Sequence, residues 1–231
     1  MKKTIFVLAL AILCSCGKEK DLTVKLNIKG LKKGTVYLKK AQDTTIITVD
    51  SLVIQGESPI IFNSELETPE MYFLQLDKNT SEDETISFFA DKGITEINTT
   101  VKNFGIDAKI KGSKQQKALE EYLLVMSRFN NKNLDLIKEE FEAKVANDTA
   151  KILANTKAYN SLLKSKYLYT VNFAITNKDN EIAPYLALTE IADAQTKWLD
   201  TINKVLTPKV KASKYGKELD AFLIERKKEN D

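Results

Sequence analysis

Histidine is absent from the 231 residues, and cysteine occurs only as Cys14 and Cys16. Without an imidazole the chain has no Ser-His-Asp triad, no histidine general base and no histidine metal site. Because both cysteines lie within the first sixteen residues, the rest of the chain offers neither a redox pair nor a disulfide. We therefore expect no metal, no cofactor and no catalytic residues.

The charge is nearly balanced, with 35 basic and 32 acidic residues. If Lys2 and Lys3 are removed with a signal peptide, 33 basic residues face 32 acidic ones and the net charge is +1. Such a chain has no positive field that would steer nucleic acid. We expect no nucleic-acid partner.

The N-terminus has the features of an export signal. Two lysines precede an apolar run from Ile5 to Leu13, and Cys14-Ser15-Cys16 follows. The run is much shorter than the ~20 apolar residues that a membrane-spanning helix needs. We predict a signal peptide over residues 1–15 and a charged tether over residues 16–21.

The sequence Leu13-Cys14-Ser15-Cys16 resembles the bacterial lipobox. The resemblance implies that the thiol of Cys16 is diacylglycerylated, that the signal is cut before it, and that the new amino group is acylated. Two or more acyl chains suffice for stable anchoring. We expect anchoring through Cys16 to the outer membrane, on the periplasmic side, with surface exposure as the alternative. A plain signal peptide cut elsewhere, or a buried N-terminal helix, are the other readings.

Residues 22–112 alternate apolar and polar side chains with the period of a β-strand, as in Leu22, Val24, Leu26 and Ile28. Glycines and prolines separate short strand candidates at close spacing, which is typical of an antiparallel β-sandwich. We predict about eight or nine short strands, including separate strands at 45–49 and 51–54. The paired aromatic residues Tyr72-Phe73 and Phe88-Phe89 could present a ligand platform, but core packing is the default.

Residues 113–231 change to a helical period, so the predicted fold class is α+β. Ser113-Lys114-Gln115-Gln116 fits a capping box, in which the side chains of Ser113 and Gln116 each satisfy a free backbone N–H group. Apolar stripes predict one helix from Leu119 to Phe129 and a second from Leu134 to Val145. A third, long helix begins near Ile152 and could continue the second. Thr207-Pro208 has the pattern of a helix start.

Several short motifs resemble one family. These are Asp50-Ser51, Phe173–Asn177, Ala183–Leu188, Leu206-Thr207-Pro208 and Ser213–Lys217. Together they resemble the uncharacterised N-terminal module of thiol:disulfide interchange lipoproteins from Bacteroidetes. In those proteins a thioredoxin-like domain with Cys-x-x-Cys follows, whereas this sequence reaches Asp231 without one. The resemblance therefore does not imply oxidoreductase activity here.

Other catalytic patterns have ordinary explanations. Ser161-Leu162-Leu163-Lys164 matches the Ser-x-x-Lys of penicillin-binding enzymes, but its companion motifs are missing and it lies within an amphipathic helix. Acidic pairs such as Glu120-Glu121 and Glu139-Glu140 could serve a glycosidase. They flank apolar stripes, as solvated helix faces do, so we expect a non-enzyme, with a carboxylate- or Ser/Lys-dependent hydrolase as the alternative.

Four Asp-Ser or Asp-Thr sites resemble the O-glycosylation acceptor of Bacteroidetes envelope proteins. The candidate acceptors are Thr44, Ser51, Thr149 and Thr201. The competing explanation is that Asp-Ser and Asp-Thr cap helices and form turns, which would account for Asp50 and Asp148.

These patterns together predict a non-catalytic, lipid-anchored envelope protein that acts as a binding or scaffolding module. Its expected partners are the membrane, through the lipid, and an envelope protein. The alternative is an accessory module that docks in trans onto a separate thioredoxin-like oxidoreductase.

Overall fold

The computed structural model describes residues 21–42, 45–56, 59–77 and 84–228. The described residues form eight strands in two four-stranded sheets, with the orders β4-β1-β7-β8 and β3-β2-β5-β6. The strands are β1 (Leu22–Lys29), β2 (Lys33–Gln42), β3 (Thr45–Gln55), β4 (Ile60–Ser64), β5 (Glu70–Asp77), β6 (Glu84–Ala90), β7 (Gly93–Thr100) and β8 (Lys109–Lys111). Helices follow, so the predicted α+β class with an N-terminal sandwich is confirmed.

The apolar alternation of the strands fills the space between the two sheets. In β1, Leu22, Val24 and Leu26 are almost fully buried, while the intervening residues face outward. Neighbouring strands are antiparallel except β1 and β7, which are parallel. Side chains from both sheets, including Leu38, Phe62 and Phe88, form one continuous core.

Strand β3 corrects the prediction of separate strands at 45–49 and 51–54. It is one strand of 11 residues that pairs with β2 along its whole length. The register shifts where Leu38 faces Asp50 and Lys39 faces Thr48, so Val49 is the extra residue of a bulge. Asp50 therefore lies inside a strand and does not form the turn that its sequence suggested.

Both faces of the β5–β6 pair are covered, so its aromatic residues do not form the exposed ligand platform that was considered from the sequence. Phe88 points into the sandwich and Phe89 points to the opposite face, as strand alternation requires. Phe89 is nevertheless fully buried, because the helical region packs on that outer face. Tyr72 is also fully buried and Phe73 half-buried, so the aromatic pairs are core residues.

The helices are α1 (Lys114–Val145), α2 (Thr149–Thr176), α3 (Ile182–Glu190), α4 (Thr196–Val205), α5 (Pro208–Lys211) and α6 (Lys214–Lys228). Helix α1 is continuous over 32 residues, so the prediction of two helices within this range was wrong. Thr207 precedes α5 as predicted, but its side chain makes no capping hydrogen bond and the helix has only four residues.

A tight turn separates α1 from α2 and makes the two helices an antiparallel hairpin. Asn147 adopts a left-handed φ of 52°, which asparagine tolerates better than most residues. The N–H of Asn147 donates to Lys144 and that of Asp148 to Ala143, the two bonds of a Schellman motif. The Asp148 carboxylate then accepts from the N–H of Lys151 and caps α2.

The capping box at α1 is only half formed. The Ser113 hydroxyl accepts from the N–H of Gln116 at 3.0 Å, as predicted. The Gln116 carbonyl, however, accepts from the backbone N–H of Phe89 at 2.9 Å. This side chain therefore joins the start of α1 to the edge strand β6 and gives that strand a hydrogen-bond partner.

Helix α6 is joined to the same sheet by polar contacts. The Tyr215 hydroxyl accepts from the N–H of Met71 at 3.0 Å, and burial raises the pKa of the Tyr215 phenol. The Lys214 ammonium donates to Glu70 at 2.6 Å and to the carbonyl of Ala41 at 2.7 Å. The sandwich and the helices therefore share a packed interface.

Candidate functional site

Only the first part of α1 lies on the sandwich. Leu119, Tyr122 and Met126 are buried in a cluster with Met71 and Phe89 of the sheet. Beyond Met126 the described buried residues of α1 are Leu136 and Ala143. At this level the helix contacts α2, where the Asn155 amide donates to the carbonyl of Leu136 at 2.9 Å. The outer half of the α1–α2 hairpin thus extends beyond the sheet.

Large apolar side chains are exposed on one face of α1, one of them before Met126 and four in the outer half. We call this set the α1 stripe, and it comprises Leu123, Leu134, Ile137, Phe141 and Val145. Their exposed fractions are 47%, 63%, 54%, 69% and 69%. At 3.6 residues per turn, Leu123 and Phe141 are five turns apart and point in the same direction. The stripe is about 33 Å long at 1.5 Å per residue.

The stripe continues a face that the sheet covers at the base of α1. Gln116 and Leu134 are 18 residues apart, as are Leu119 and Ile137, so each pair shares one direction. Gln116 and Leu119 are buried against β6, whereas Leu134 and Ile137 are exposed. The face carries the polar residues Ser127 and Asn130 after the sheet has ended and is apolar again from Leu134 onward.

The charges beside the stripe neutralise one another within the helix. Lys144 pairs with Glu140 at 2.7 Å, and Lys138 lies 4.0 Å from Glu142, both at i,i+4 spacing. Such exposed pairs contribute little to stability, but they leave no single sign of charge along the stripe. Large contiguous apolar surfaces on soluble proteins mark binding sites. The stripe is therefore suited to another apolar surface.

The sandwich has a separate cavity of about 710 Å³ at one end. Its apolar wall includes Ile28, Ile54 and Ile60, and its polar wall includes Lys25 and Glu96. This size is within the range of small-molecule sites. The charged residues that line it have both signs and are exposed. The lining therefore indicates no particular reaction.

The predicted modification sites do not form one cluster. Cys16 and Thr44 lie outside the described residues. Ser51 is exposed in β3, Thr149 is exposed at the start of α2, and Thr201 is exposed in α4. The Thr201 hydroxyl donates to the carbonyl of Lys197 within its own helix. These three positions are accessible, and O-glycosylation there stays a prediction.

The catalytic patterns considered from the sequence have structural explanations. Ser161 is exposed on α2, and its carbonyl accepts from the Ser165 hydroxyl. Glu120 accepts from the Gln116 amide, and Glu140 pairs with Lys144. Among residues 21–42, 45–56, 59–77 and 84–228, no three Cys, Asp or Glu side chains are grouped to hold a metal ion. None of the helices in these ranges is both long and apolar enough to cross a membrane.

The structure reveals a buried polar contact that the sequence pattern did not indicate. Glu181, which precedes α3, is only 1% exposed and accepts from the Gln115 amide at 2.6 Å. The Gln115 carbonyl in turn accepts from the N–H of Ile182 at 2.9 Å. Burial raises the pKa of the Glu181 carboxyl, against a smaller opposing effect of Lys209. Its hydrogen bonds have a structural role, because they join α1 to α3.

Comparison with known proteins identifies the sandwich part of the chain. No curated protein matches the sequence significantly. Residues 22–119, which contain all eight strands and the first turns of α1, match a family described as "Domain of unknown function (DUF4369)". The α1 stripe lies beyond the matched residues. The similarity therefore covers the sandwich and the start of α1, and the description of the family names no function.

Proposed function

We propose that this protein is a non-catalytic, lipid-anchored envelope protein that binds a protein partner through the α1 stripe. The single observation that carries the proposal is the exposure of five large apolar side chains along one helical face. Scattered exposed apolar residues are normal on any protein, but a row of this length is not. An amphipathic helix of a partner would bury the row through i, i+3, i+4 and i+7 contacts.

The structure of the α1–α2 hairpin supports the interpretation that the exposed apolar row is a binding surface and not a poorly packed part of the fold. The turn at Asn147 ends α1, and the side chain of Asp148 caps the start of α2. The outer half of the hairpin therefore has defined helix ends. Its helices are joined by a buried hydrogen bond between Asn155 and Leu136. A rigid helical arm presents its apolar face with little loss of conformational entropy on binding.

The proposed anchor rests on the residues around Cys16. The lipobox resemblance and the short apolar run before it favour acylation of that thiol and retention at the outer membrane. A Cys16→Ser substitution should move the protein from the membrane fraction to the soluble fraction. Unchanged fractionation would contradict the proposed lipid anchor. It would not bear on the binding role of the stripe.

The alternative partner is a separate thioredoxin-like oxidoreductase. The family match over residues 22–119 is compatible with the resemblance to modules that precede thioredoxin-like domains. In this alternative the protein contributes a docking surface and the partner contributes the Cys-x-x-Cys chemistry. Identification of a Cys-x-x-Cys protein as the species captured by the stripe would favour it.

The binding role can be tested by photo-cross-linking in the native envelope. A photoreactive amino acid at Phe141 should capture a protein, because that side chain lies in the middle of the outer stripe. The matched control is Ile106, which is 88% exposed in the turn between β7 and β8. Equal capture at Phe141 and Ile106, or capture at neither, would contradict the proposal.

A further inference from the structure

We infer that the groove between α1 and α2 binds a fatty acid, with the carboxylate at Arg128 and Lys132 and the hydrocarbon chain along the two helices. The inference goes beyond the proposed function, because this groove and the α1 stripe are separate surfaces. It follows from the shape of the groove, from its apolar floor and from the two cations at its rim.

The groove opens along a part of the hairpin where no hydrogen bond joins the described residues of the two helices. Near the base, the hydroxyls of Tyr122 and Thr170 lie 2.8 Å apart, and nearer the tip the Asn155 amide donates to the carbonyl of Leu136 at 2.9 Å. Tyr122 and Leu136 are 14 residues apart on α1, so these two links are separated by about 21 Å along the helix axis. The groove between them has a volume of about 550 Å³, which is within the range of small-molecule sites.

The floor of the groove is apolar. Val125 and Phe129 of α1 and Ala158 and Leu162 of α2 line it, and all four side chains are half-buried. A hydrocarbon chain lying on them would remove their remaining surface from water, which is favourable in proportion to the apolar area covered. The floor therefore favours a ligand with an extended apolar part.

Two cations stand at the rim of the same groove. Arg128 and Lys132 lie one turn apart on α1, and neither forms an ion pair or a hydrogen bond with the described residues. No acidic side chain of the described residues lines the groove. Arg128 and Lys132 separate it from a second depression, nearer the tip, that contains Asp135 and Glu139. The positive rim is therefore complementary to an anionic head group.

The opposite rim supplies hydroxyl groups. Ser161 and Ser165 of α2 line the groove there. The Ser165 hydroxyl donates to the carbonyl of Ser161 at 2.8 Å, whereas the Ser161 hydroxyl has no hydrogen-bond partner among the described residues. A carboxylate accepts hydrogen bonds from guanidinium, ammonium and hydroxyl donors, and an arginine can bind both of its oxygens. The combination of this rim with an apolar floor fits a fatty acid.

The groove and the α1 stripe lie on opposite sides of the helix. Leu134 of the stripe comes nine residues after Val125 of the groove, which is two and a half turns, so the two side chains point in opposite directions. A ligand in the groove leaves the stripe uncovered. Fatty-acid binding and partner binding can therefore be measured independently, and failure of one does not imply failure of the other.

Equilibrium dialysis against radiolabelled decanoate tests the inference. The chain with Cys16→Ser is suitable, because it retains every described residue and carries no lipid at that position. Decyltrimethylammonium, which has the same chain length and a cationic head, is the matched ligand. We expect one decanoate per chain, bound about tenfold or more tightly than the cationic amphiphile, since only the anion can pair with Arg128 and Lys132. Equal affinity for the two amphiphiles, or no binding of decanoate, would overturn the inference.

A pair of substitutions locates the head group. Arg128→Gln combined with Lys132→Gln should weaken decanoate binding by about tenfold or more, because the carboxylate loses both of its charged donors. Lys138→Gln combined with Lys144→Gln is the matched control, since it removes the same charge from the same helix outside the groove. The control should leave the affinity unchanged. Equal weakening by the two double substitutions would mean a general effect of net charge and would overturn the inference.

A third substitution locates the hydrocarbon chain. Ala158→Leu places a larger side chain on the floor and should weaken decanoate binding by about tenfold or more, because the chain would lose space and apolar contact. Ala158 is half-buried beside the open groove, so we expect the far-UV circular dichroism and the temperature of thermal unfolding to be retained. Unchanged affinity in Ala158→Leu would place the ligand elsewhere and would overturn the inference.

Discussion

Leu119 and Ile137 point in the same direction from α1, five helical turns apart, but only Leu119 is covered. Leu119 is 6% exposed in the cluster with Phe89, and Ile137 is 54% exposed beyond the end of the sheet. The same apolar face therefore contributes to folding at one end of the helix and is exposed at the other. The two positions can be compared directly by mutation.

Leu119→Ala should lower the free energy of unfolding by about 2–4 kcal/mol, since it removes buried methyl groups and leaves a cavity. Ile137→Ala should change it by less than about 1 kcal/mol, because the side chain is already largely solvated. Urea unfolding of both variants, followed by far-UV circular dichroism at low protein concentration, gives the comparison. Equal losses at the two positions would show that Ile137 is covered within the single chain.

Gln116→Ala should destabilise the joint between α1 and β6. The substitution leaves the backbone N–H of Phe89 buried without its acceptor, which costs about 1–3 kcal/mol. Lys117→Ala is the matched control, since its exposed side chain lies one residue further along the same helix. Urea unfolding should separate the two variants. Faster amide exchange at Phe89 in Gln116→Ala would identify this hydrogen bond as the cause, and equal stability of the two variants would contradict the assignment.

Gly216→Ala should be destabilising although it lies inside α6, where alanine is normally favoured by about 1 kcal/mol. A Cβ atom there would stand 2.0 Å from the carbonyl oxygen of Val210 and 2.8 Å from the Cα atom of Lys211. Both contacts are with backbone, so α5 and α6 would have to separate. We expect a net loss of about 1–3 kcal/mol. Lys217→Ala, one residue later and exposed, should be nearly neutral in the same thermal unfolding assay.

Most of the secondary structure could be predicted from local patterns. Alternation located the strands, and Ser113 marked the start of α1 through its short side chain. The start of α2 at Thr149 was predicted only approximately, near Ile152. The single strand β3 could not be foreseen, because the bulge at Val49 interrupts the alternation that the pairing with β2 restores. The continuity of α1 was missed for a similar reason: the polar residues near Asn130 interrupt the apolar face without breaking the helix.

The candidate site was predictable only in part. The spacing of Leu134, Ile137 and Phe141 predicts an apolar helical face, but no local pattern tells whether another element covers that face. Whether this face of α1 is buried depends on where β6 ends relative to the helix. That relationship is set by long-range contacts, which a local pattern does not contain. The same holds for Glu181, whose burial results from Gln115 lying 66 residues away.

The last prediction concerns that buried Glu181. Its Oε2 atom accepts from Gln115, while Oε1 is buried and has no partner among the described residues. Burial disfavours the charged form and raises the pKa of this carboxyl in the folded protein above its value of about 4.3 in an unfolded chain. The unfolded chain therefore releases this proton at a lower pH than the folded protein does.

The sign of the pH dependence follows. Below a pH of about 4.3 the carboxyl is protonated in both states and imposes no penalty. As the pH rises from there to the folded pKa, stability is lost because the unfolded state binds fewer protons, and above the folded pKa no more is lost. Relative to the wild type, Glu181→Gln should gain stability between pH 4 and 8, since it removes that loss. Urea unfolding at each pH gives the difference, and Glu139→Gln controls for the loss of an exposed carboxylate. The prediction would be wrong if the difference in the free energy of unfolding between wild type and Glu181→Gln were constant across this range. Glu181 would then titrate at the same pH in the folded and unfolded states.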